Sequence, residues 1–487
     1  MAAEPAEGKR EWQRTPSNIP VGYIILCTLC MTSLYSTILS FHMTVNMVHS
    51  YGNGSESDFY NVSDYIRHQD GERNVTVRRH KFLSNPQKES LITVVPIGGI
   101  LFYVPAALLY NHLGFRRTFV IMAAIGIIPD ILLPAVTRAQ TYVLAIMIRI
   151  IQGFALASFI PYVCKLSVFL PFQHMAIPSI AFAFIQLAGF FTFPLSAIMS
   201  WSSLGWHSVH YGSAIMTFCL VILCLISTSG ESFKKKSSEM GFLRALFRYD
   251  RSRSKQISLQ LPYLSIYQDV RVWSCLIAGL GYFTTIQLYL QWGPTFLNKV
   301  ADLNIITTGL VSMVPPFVNL FVGFLVYIIF PQMANETTTK LRLFNSLGTV
   351  VPGIIYIIIG CLDAKNHYGV AATLYVVGSS FLGFCSCGFL HMLQLRSVQY
   401  HLFILINLFS VNLGSMFLCS LLNVLIAKNN EYTSWAVVFI VQGVILIVTN
   451  LIFCLFASDE KAHWAAEGFE DTSIQPRRED PLPQRPL

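Results

Sequence analysis

The sequence predicts an all-α membrane protein with twelve transmembrane helices in two six-helix halves. Of its 487 residues, 54% are hydrophobic and only 12% are charged, which is about half the charged fraction of soluble proteins. The apolar residues form runs of about 20, the length that an α-helix needs to cross a bilayer. No run alternates like a strand of a β-barrel. This composition excludes a soluble enzyme, a nucleic-acid-binding protein and a disordered chain.

Short polar breaks separate the twelve runs, which fall into two groups of six. The first group predicts spans near residues 21–48, 90–110, 118–137, 141–163, 175–199 and 210–229. The second predicts spans near residues 273–296, 305–330, 344–362, 369–392, 402–427 and 435–457. The chain therefore divides into an N-terminal tail (1–20), an N-terminal half (21–229), a basic linker (230–271), a C-terminal half (272–457) and a C-terminal tail (458–487).

The distribution of Lys and Arg predicts that both termini are cytoplasmic. In that orientation the cytoplasmic segments hold 22 basic residues and the short outer loops hold four, as the positive-inside rule requires. The long outer loop, 49–89, carries three N-glycosylation triplets, at Asn53, Asn61 and Asn74, and glycosylation belongs to that side. We expect a multi-pass glycoprotein of the plasma membrane or of a lysosomal or secretory-vesicle membrane.

Only two charged residues fall well inside the predicted spans: Arg149 in the fourth and Asp130 in the third. Charged side chains are costly in hydrocarbon, so those that occur there mark a functional site or a pair. Arg149 can offer a fork of N–H donors to a carboxylate or phosphate. The alternative is a fixed ion pair between Arg149 and Asp130.

Polar side chains at helical spacing in the first, seventh and tenth spans supply further candidates. The candidate substrate contacts besides Arg149 are Ser40, Thr44, Tyr282, Tyr289 and His391. Serine and threonine hydroxyls can instead bond their own helix. A proton-coupled transporter needs a buried group that titrates near ambient pH, and a histidine does so unaided at about 6.5. The coupling candidates are His42, His391 and Asp130.

The loop after the second span reads Asn111-His-Leu-Gly-Phe-Arg-Arg117. A glycine turn followed by Arg116 and Arg117 can bind the carbonyls at a helix C-terminus and hold two helices together. The loop is similar to the one between helices two and three of the major facilitator superfamily, although that family's loop acid is absent. The resemblance implies that Gly114, Arg116 and Arg117 form a conformational lock.

Further motifs resemble those of the anion:cation symporter family, solute-carrier family 17, which includes vesicular glutamate transporters, sialin and sodium–phosphate cotransporters. The matching segments are Pro105-Ala-Ala107, Arg149-Ile-Ile-Gln-Gly153 followed by Pro161, Gly205-Trp206, Trp292-Gly-Pro-Thr-Phe296, and Phe456-Ala-Ser-Asp-Glu-Lys461 followed by Trp464. They occur in order over nearly the whole chain. The resemblance implies a cavity lined by helices one, four, seven and ten, and it places Arg149 at a transport-linked arginine.

The chain departs from that family at most of its charged transport positions. The family's helix-one arginine and asparagine align with Ser40 and His42, its helix-four acid with Leu156, and its helix-seven basic residue with Tyr282. The helix-ten motif is replaced by Leu390-His-Met-Leu-Gln394. Neither glutamate nor sialic acid can therefore be inferred as the substrate.

Together these features predict a secondary active transporter of a small organic or inorganic anion, worked by rocking of the two halves. Its coupling ion would be H⁺ or Na⁺. We expect a monomer in the bilayer, with no cofactor, no metal site and no nucleic-acid partner, and we expect no enzymatic activity. Two alternatives stay open. One is an uncoupled anion facilitator or leak, favoured by Leu156, and the other is a non-transporting receptor or scaffold.

Overall fold

The computed structural model describes residues 21–45, 85–138, 141–169, 177–229, 262–362, 368–427 and 431–466. These ranges contain helices and no β-strand. Eleven helical stretches within them are long and apolar enough to cross a membrane. One, Gln87–Thr137, has 51 residues and would extend about 75 Å, more than twice the hydrocarbon thickness. It bends back at Gly114, so the prediction of twelve transmembrane helices is confirmed.

The N-terminal half contains α1 to α6, and the C-terminal half α7 to α12. The first six are α1 (Val21–Thr44), α2 (85–113), α3 (115–138), α4 (142–169), α5 (Ile177–Trp201) and α6 (His207–Ser229). The second six are α7 (Val270–Val300), α8 (Ile305–Gln332), α9 (Thr337–Cys361), α10 (Tyr368–Ser397), α11 (His401–Ile426) and α12 (Tyr432–Phe456). We call the face with the α2–α3 turn the inner face and the opposite one the outer face. That the inner face is cytoplasmic stays a prediction.

Gly114 makes the turn between α2 and α3 with a φ of 74°, a value that glycine adopts without steric cost. Just beyond it, the guanidinium of Arg116 donates to the carbonyl oxygen of Leu225, near the end of α6, at 3.2 Å. In the second half, Arg342 of α9 donates to the carbonyl oxygen of Ala457, just after α12, at 3.4 Å. Both arginines therefore bind the inner end of the last helix in their own half, as the sequence predicts for Arg116.

Arg117 is exposed at the same turn. In the second half, Lys340 lies two residues before Arg342. It donates from Nζ to the carbonyl oxygens of Phe330 and Met333 at the inner end of α8, at 3.2 and 3.0 Å. The inner face of each half thus has a basic side chain that satisfies helix C-terminal carbonyls.

Three of the four helices predicted to line a central path depart from regular α geometry. Helix α4 contains a 3₁₀ turn at Ala155–Ser158, and α10 contains one at Phe381–Cys387. Helix α7 contains π turns at Leu288–Trp292 and Phe296–Val300. Most residues of these turns are buried, as expected because irregular backbone at membrane depth needs protein around it. Such turns frequently occur at functional positions.

Helices α2 and α4 pack backbone to backbone through Gly98 and Gly153. A Cβ atom on Gly98 would collide with the carbonyl oxygen of Ile150, and one on Gly153 would collide with that of Val95. Small residues allow this kind of close approach between membrane helices. The contact brings α2 against the part of α4 that carries Arg149.

The first residues after α12, 457–466, fold back on the inner ends of α7 and α10. Asp269, which caps α7, accepts from Arg396 Nη2 of α10 at 2.6 Å and from Trp464 Nε1 at 3.0 Å. The Asp269 and Arg396 side chains are only 5% and 7% exposed, and Trp464 is fully buried. This part of the predicted tail therefore belongs to the folded C-terminal half.

We expect Gly153→Ala to destabilise the protein by about 1–3 kcal/mol, because the added methyl group overpacks the α2–α4 contact. Gly414→Ala is the matched control, since a Cβ on Gly414 in α11 meets no atom within 4 Å. Thermal unfolding of the purified variants measures both effects. Equal midpoints for the two variants would contradict the proposed close approach.

The buried Asp269–Arg396 pair predicts a second contrast. Asp269→Ala leaves a buried guanidinium without its carboxylate, for which we expect a loss of about 3–5 kcal/mol. Glu460→Gln removes the partner of Arg271 in a pair whose side chains are 70% and 38% exposed, and exposed pairs contribute about 1 kcal/mol or less. If both variants unfold at the same temperature, residues 457–466 do not depend on the buried pair.

Candidate functional site

Arg149, on α4, is fully buried where α4 packs against α1 and α2. Its Nε donates to the carbonyl oxygen of Leu91 in α2 at 3.1 Å, and its Nη1 donates to Gln152 Oε1 at 2.6 Å. Gln152 in turn donates to the carbonyl oxygen of Thr37 in α1 at 2.8 Å. The guanidinium carbon lies 4.3 Å from the ring centroid of Phe41, which is close enough for a cation–π contact. Three helices thus hold the charge in a defined position.

The guanidinium is not fully satisfied. Among the described residues, Nη2 of Arg149 has no hydrogen-bond partner, and neither does either ring nitrogen of the fully buried His42. No carboxylate oxygen in the described part of the chain is in ion-pair contact with Arg149. Buried donors left without acceptors cost free energy. Nη2 of Arg149 and the two ring nitrogens of His42 are therefore the polar atoms of this site that can still bond a further partner.

Asp130 is not the counter-ion of Arg149, contrary to the ion-pair alternative. Its Oδ1 lies 2.8 Å from His210 Nδ1 of α6, and its Oδ2 accepts a short hydrogen bond from the Ser213 hydroxyl. Both Asp130 and His210 are fully buried. Asp130 is nevertheless near enough to Arg149 for an electrostatic interaction. Arg149 and Asp130 thus belong to neighbouring sites. Asp130 contacts His210, which is positive when it is protonated, whereas Arg149 contacts no carboxylate among the described residues.

Ser40 and Thr44, predicted as substrate contacts, face His210 on α6. The Ser40 Oγ lies 3.5 Å from His210 Nδ1, and the Thr44 Oγ1 lies 3.2 Å from Nε2. Both hydroxyls are completely buried. The structure therefore assigns them to the Asp130–His210 cluster, which occupies the outer part of the N-terminal half.

Tyr289 lies at the contact between the two halves. Its hydroxyl donates to Gln186 Oε1 of α5 at 2.6 Å and lies 3.4 Å from Asn319 Nδ2 of α8. Tyr282, about two turns earlier on α7, lies beside Gln186 and packs edge-on against Phe389 of α10 at 5.3 Å. Both predicted tyrosines therefore belong to the central region of the molecule.

A second polar cluster joins the halves at Gln287. Its amide is 3.2 Å from the Tyr35 hydroxyl of α1 and donates to Asn412 Oδ1 of α11 at 3.0 Å. Gln291 Nε2 donates to Gln287 Oε1 at 3.0 Å, and Ser420 donates to Gln291 Oε1 at 2.8 Å. The sequence predictions omit Gln186, Gln287, Gln291, Asn412 and Ser420. The i, i+4 spacing of Gln287 and Gln291 inside an apolar helix is the signal that could have identified them.

His391 lies away from these clusters, in the last two turns of α10 near the inner face. Its ring packs edge-on against Phe330 at 4.9 Å, and Lys340 is close enough to act on it electrostatically. Both ring nitrogens lack hydrogen-bond partners among the described residues. The structure therefore does not bring His391 together with Arg149, His42 or Asp130. The three predicted glycosylation residues, Asn53, Asn61 and Asn74, lie outside the described residues.

The comparisons with known proteins agree with this architecture. A family model of the Major Facilitator Superfamily matches residues 24–402. Similar solved structures include a D-xylose-proton symporter, at 13% identity and a TM-score of 0.63 over 91% of this chain and 99% of that one. Another is a POT family transporter in complex with 5-aminolevulinic acid, at 15% identity and a TM-score of 0.58 over 90% of this chain and 96% of that one. These likenesses establish the fold.

Among curated relatives, vesicular glutamate transporter 2 of Mus musculus is 22% identical over 76% of this chain and 64% of its own length. Sodium-dependent phosphate transport protein 1 of Mus musculus is 22% identical over 54% of this chain and 57% of its own length. Vesicular glutamate transporter 1 of Bos taurus is 22% identical over 83% and 73%. The chain spans less than two thirds of the first two relatives. The resemblance to solute-carrier family 17 is confirmed at low identity.

The family model covers most of the chain, the twelve helices form two halves of six, and the solved structures share the fold over nine tenths of its length. The chain therefore belongs to the Major Facilitator Superfamily.

Proposed function

We propose that this chain is a secondary active transporter that moves a small organic or inorganic anion by alternating access. The observation that carries the proposal is the buried Arg149 guanidinium, which has an unpartnered N–H group and no carboxylate in contact among the described residues. A carboxylate or phosphate oxygen is the partner that suits such a donor best. The printed names of the relatives, which refer to glutamate and phosphate, support an anionic substrate.

The surroundings of Arg149 narrow the class of anion. The polar groups nearer the centre are neutral amides and hydroxyls, contributed by Gln186, Gln287, Tyr289 and Asn412. One guanidinium compensates one negative group, while amides can bond a neutral polar remainder. The proposed substrate therefore carries a single carboxylate or phosphate group.

Alternating access requires that the two halves separate at one face and then at the other. The described hydrogen bonds between the halves are neutral: Tyr35 to Gln287, Tyr289 to Gln186, Ser179 to Tyr327 at 2.8 Å, and the Tyr103 hydroxyl to the carbonyl oxygen of Ile406 at 2.8 Å. The described ion pairs each join elements of one half. A neutral hydrogen bond contributes about 0.5–1.5 kcal/mol net, so these contacts can be exchanged during a transport cycle.

Aromatic packing adds to the contact between the halves. The rings of Phe159 in α4 and Phe409 in α11 stack with their centroids 4.0 Å apart and an interplanar angle of 9°. The apolar burial in this contact is non-directional, so the two rings can pack again at a shifted register. We propose that it slides as the halves rock.

Coupling to H⁺ or Na⁺ is part of the proposal, as are the monomeric state and a location in the plasma membrane or a lysosomal or secretory-vesicle membrane. The second candidate function is an uncoupled anion facilitator. The observation that favours it is Leu156, a buried leucine at the position where the resembling family carries an acid. Accumulation of anion against its own gradient in proteoliposomes would eliminate the uncoupled facilitator, and failure to bind any anion would favour a receptor or scaffold.

We expect Arg149→Ala to lower anion uptake by a factor of about 10 to 150, because hydrogen bonds to a charged group contribute about 1.5–3 kcal/mol. Arg149→Lys keeps the charge but loses the fork of donors, so an intermediate loss is expected. Uptake of labelled anions by proteoliposomes measures both. Arg271→Ala, on the exposed inner face, is the control, and size-exclusion profiles verify folding. Full uptake by folded Arg149→Ala would overturn the assignment.

Tyr289→Phe removes the hydrogen bond that links α7 to α5 across the halves. A loss of about 0.5–1.5 kcal/mol should change the rate of uptake by roughly 2- to 13-fold by shifting the balance between conformations. Tyr356→Phe is the matched control, since the Tyr356 hydroxyl contacts Ser379 Oγ at 2.7 Å within one half. If both variants change uptake equally, the Tyr289 contact has no special role between the halves.

A further inference from the structure

We propose that the buried Asp130–His210 pair is the site at which this protein binds its coupling proton, an inference that rests on the proposed transport function. The pair lies where α1, α3 and α6 meet, toward the outer face. His210 Nδ1 is 2.8 Å from Asp130 Oδ1, and both side chains are fully buried. The imidazole is the side chain whose charge ordinarily changes between about pH 5 and 8. His210 is absent from the coupling candidates that the sequence suggests.

The hydrogen bonds around the ring define how many protons the site holds. The Thr44 hydroxyl donates to the carbonyl oxygen of Ser40 at 2.9 Å, so its oxygen is left to accept from His210 Nε2. The Ser40 hydroxyl donates to the carbonyl oxygen of Thr37 at 2.9 Å, so it too faces the ring as an acceptor. Both ring nitrogens therefore meet acceptors.

This arrangement fits a protonated imidazole beside an ionised Asp130, or a neutral imidazole beside a protonated carboxyl group. Either form holds one proton more than a carboxylate with a neutral imidazole. When that proton leaves, the Nε2 lone pair faces Thr44, whose hydroxyl must turn from the Ser40 carbonyl toward the ring. Proton release therefore changes a hydrogen bond of α1. The same helix carries Phe41 and the Thr37 carbonyl beside the Arg149 site.

The charges around the pair explain how a proton and an anion can bind together. Arg149 on α4 interacts electrostatically with Asp130, His42 on α1 interacts with Arg149, and α5 carries no ionisable side chain. With the extra proton, the pair is neutral overall, and Arg149 is left to attract an anion. Without the extra proton, the negative charge of Asp130 offsets the positive potential of Arg149 and weakens its attraction for an anion. Each ligand therefore favours the other, which is the coupling that symport requires.

A proton-release measurement tests the site without knowledge of the substrate. The purified full-length protein in detergent is stepped from about pH 5.5 to about pH 7.5, the range in which a histidine site titrates, and a pH-indicator dye counts the protons released per chain. We expect Asp130→Asn and His210→Gln to release about one proton fewer than wild type. His401→Gln, a buried histidine at the inner end of α11, is the control for loss of an unrelated imidazole. Release equal to wild type from folded Asp130→Asn and His210→Gln would overturn the assignment.

Thr44→Val keeps both Asp130 and His210, and it is the second test of the site if Asp130→Asn or His210→Gln fails to fold. It removes the acceptor of the Nε2–H group, which weakens the protonated form, so the midpoint of proton release should move to lower pH. A purely structural Asp130–His210 contact would leave the midpoint in place, and an unmoved midpoint contradicts the proposal.

Transport measurements separate this inference from the proposed function. Labelled inorganic phosphate or a labelled monocarboxylate such as L-lactate is added outside proteoliposomes that contain the full-length protein, with and without a pH gradient. In wild type the gradient should drive accumulation beyond exchange, and in Asp130→Asn the ratio of driven uptake to exchange should fall to its value without a gradient. Absence of anion uptake by wild type contradicts the transport proposal, whereas retained pH-driven accumulation in Asp130→Asn contradicts only the proton site. Accumulation driven by a sodium gradient alone would also overturn it.

Discussion

The N-terminal half is organised around one constraint, which is that a guanidinium must be held in hydrocarbon without a contacting carboxylate. Helix α2 comes close enough to supply the Leu91 carbonyl only because Gly98 and Gly153 lack side chains. Gln152 occupies a second N–H group and ties it to α1. Nη2, with its two N–H groups, has no partner among the described residues, and it is the part of the guanidinium to which the proposed anion would bind.

Charged and neutral contacts lie in different parts of the molecule. Ion pairs and carbonyl-bound arginines lie within halves, as at Asp269–Arg396, where breaking a buried pair would be costly. Between the halves, amides and hydroxyls such as Gln287 and Tyr35 bond one another. The weaker contacts thus lie at the boundary across which the proposed rocking of the two halves takes place.

The helices could be predicted from the sequence because their signals are local. Apolar runs of spanning length indicate the helices, Gly114 indicates a turn, and the basic residues indicate the orientation. Arg149 could be predicted because a charge is conspicuous in an apolar span. The partner of Asp130 could not, since His210 lies at the start of α6 and only the packing of α6 against α3 brings the two together. The central amides were missed because they carry no charge, and the position of His391 near the inner end of α10, against Phe330, could not be predicted because it depends on the packing of the helices.

Arg116 and Arg342 make the same contact in different halves, each reaching the inner end of its own last helix. The loops around the two arginines differ in sequence, but each places a guanidinium against a carbonyl oxygen at the inner end of the last helix of its half. Each bond ties the start of the third helix of a half to its sixth helix, so the inner end of each half is braced without a contact to the other half.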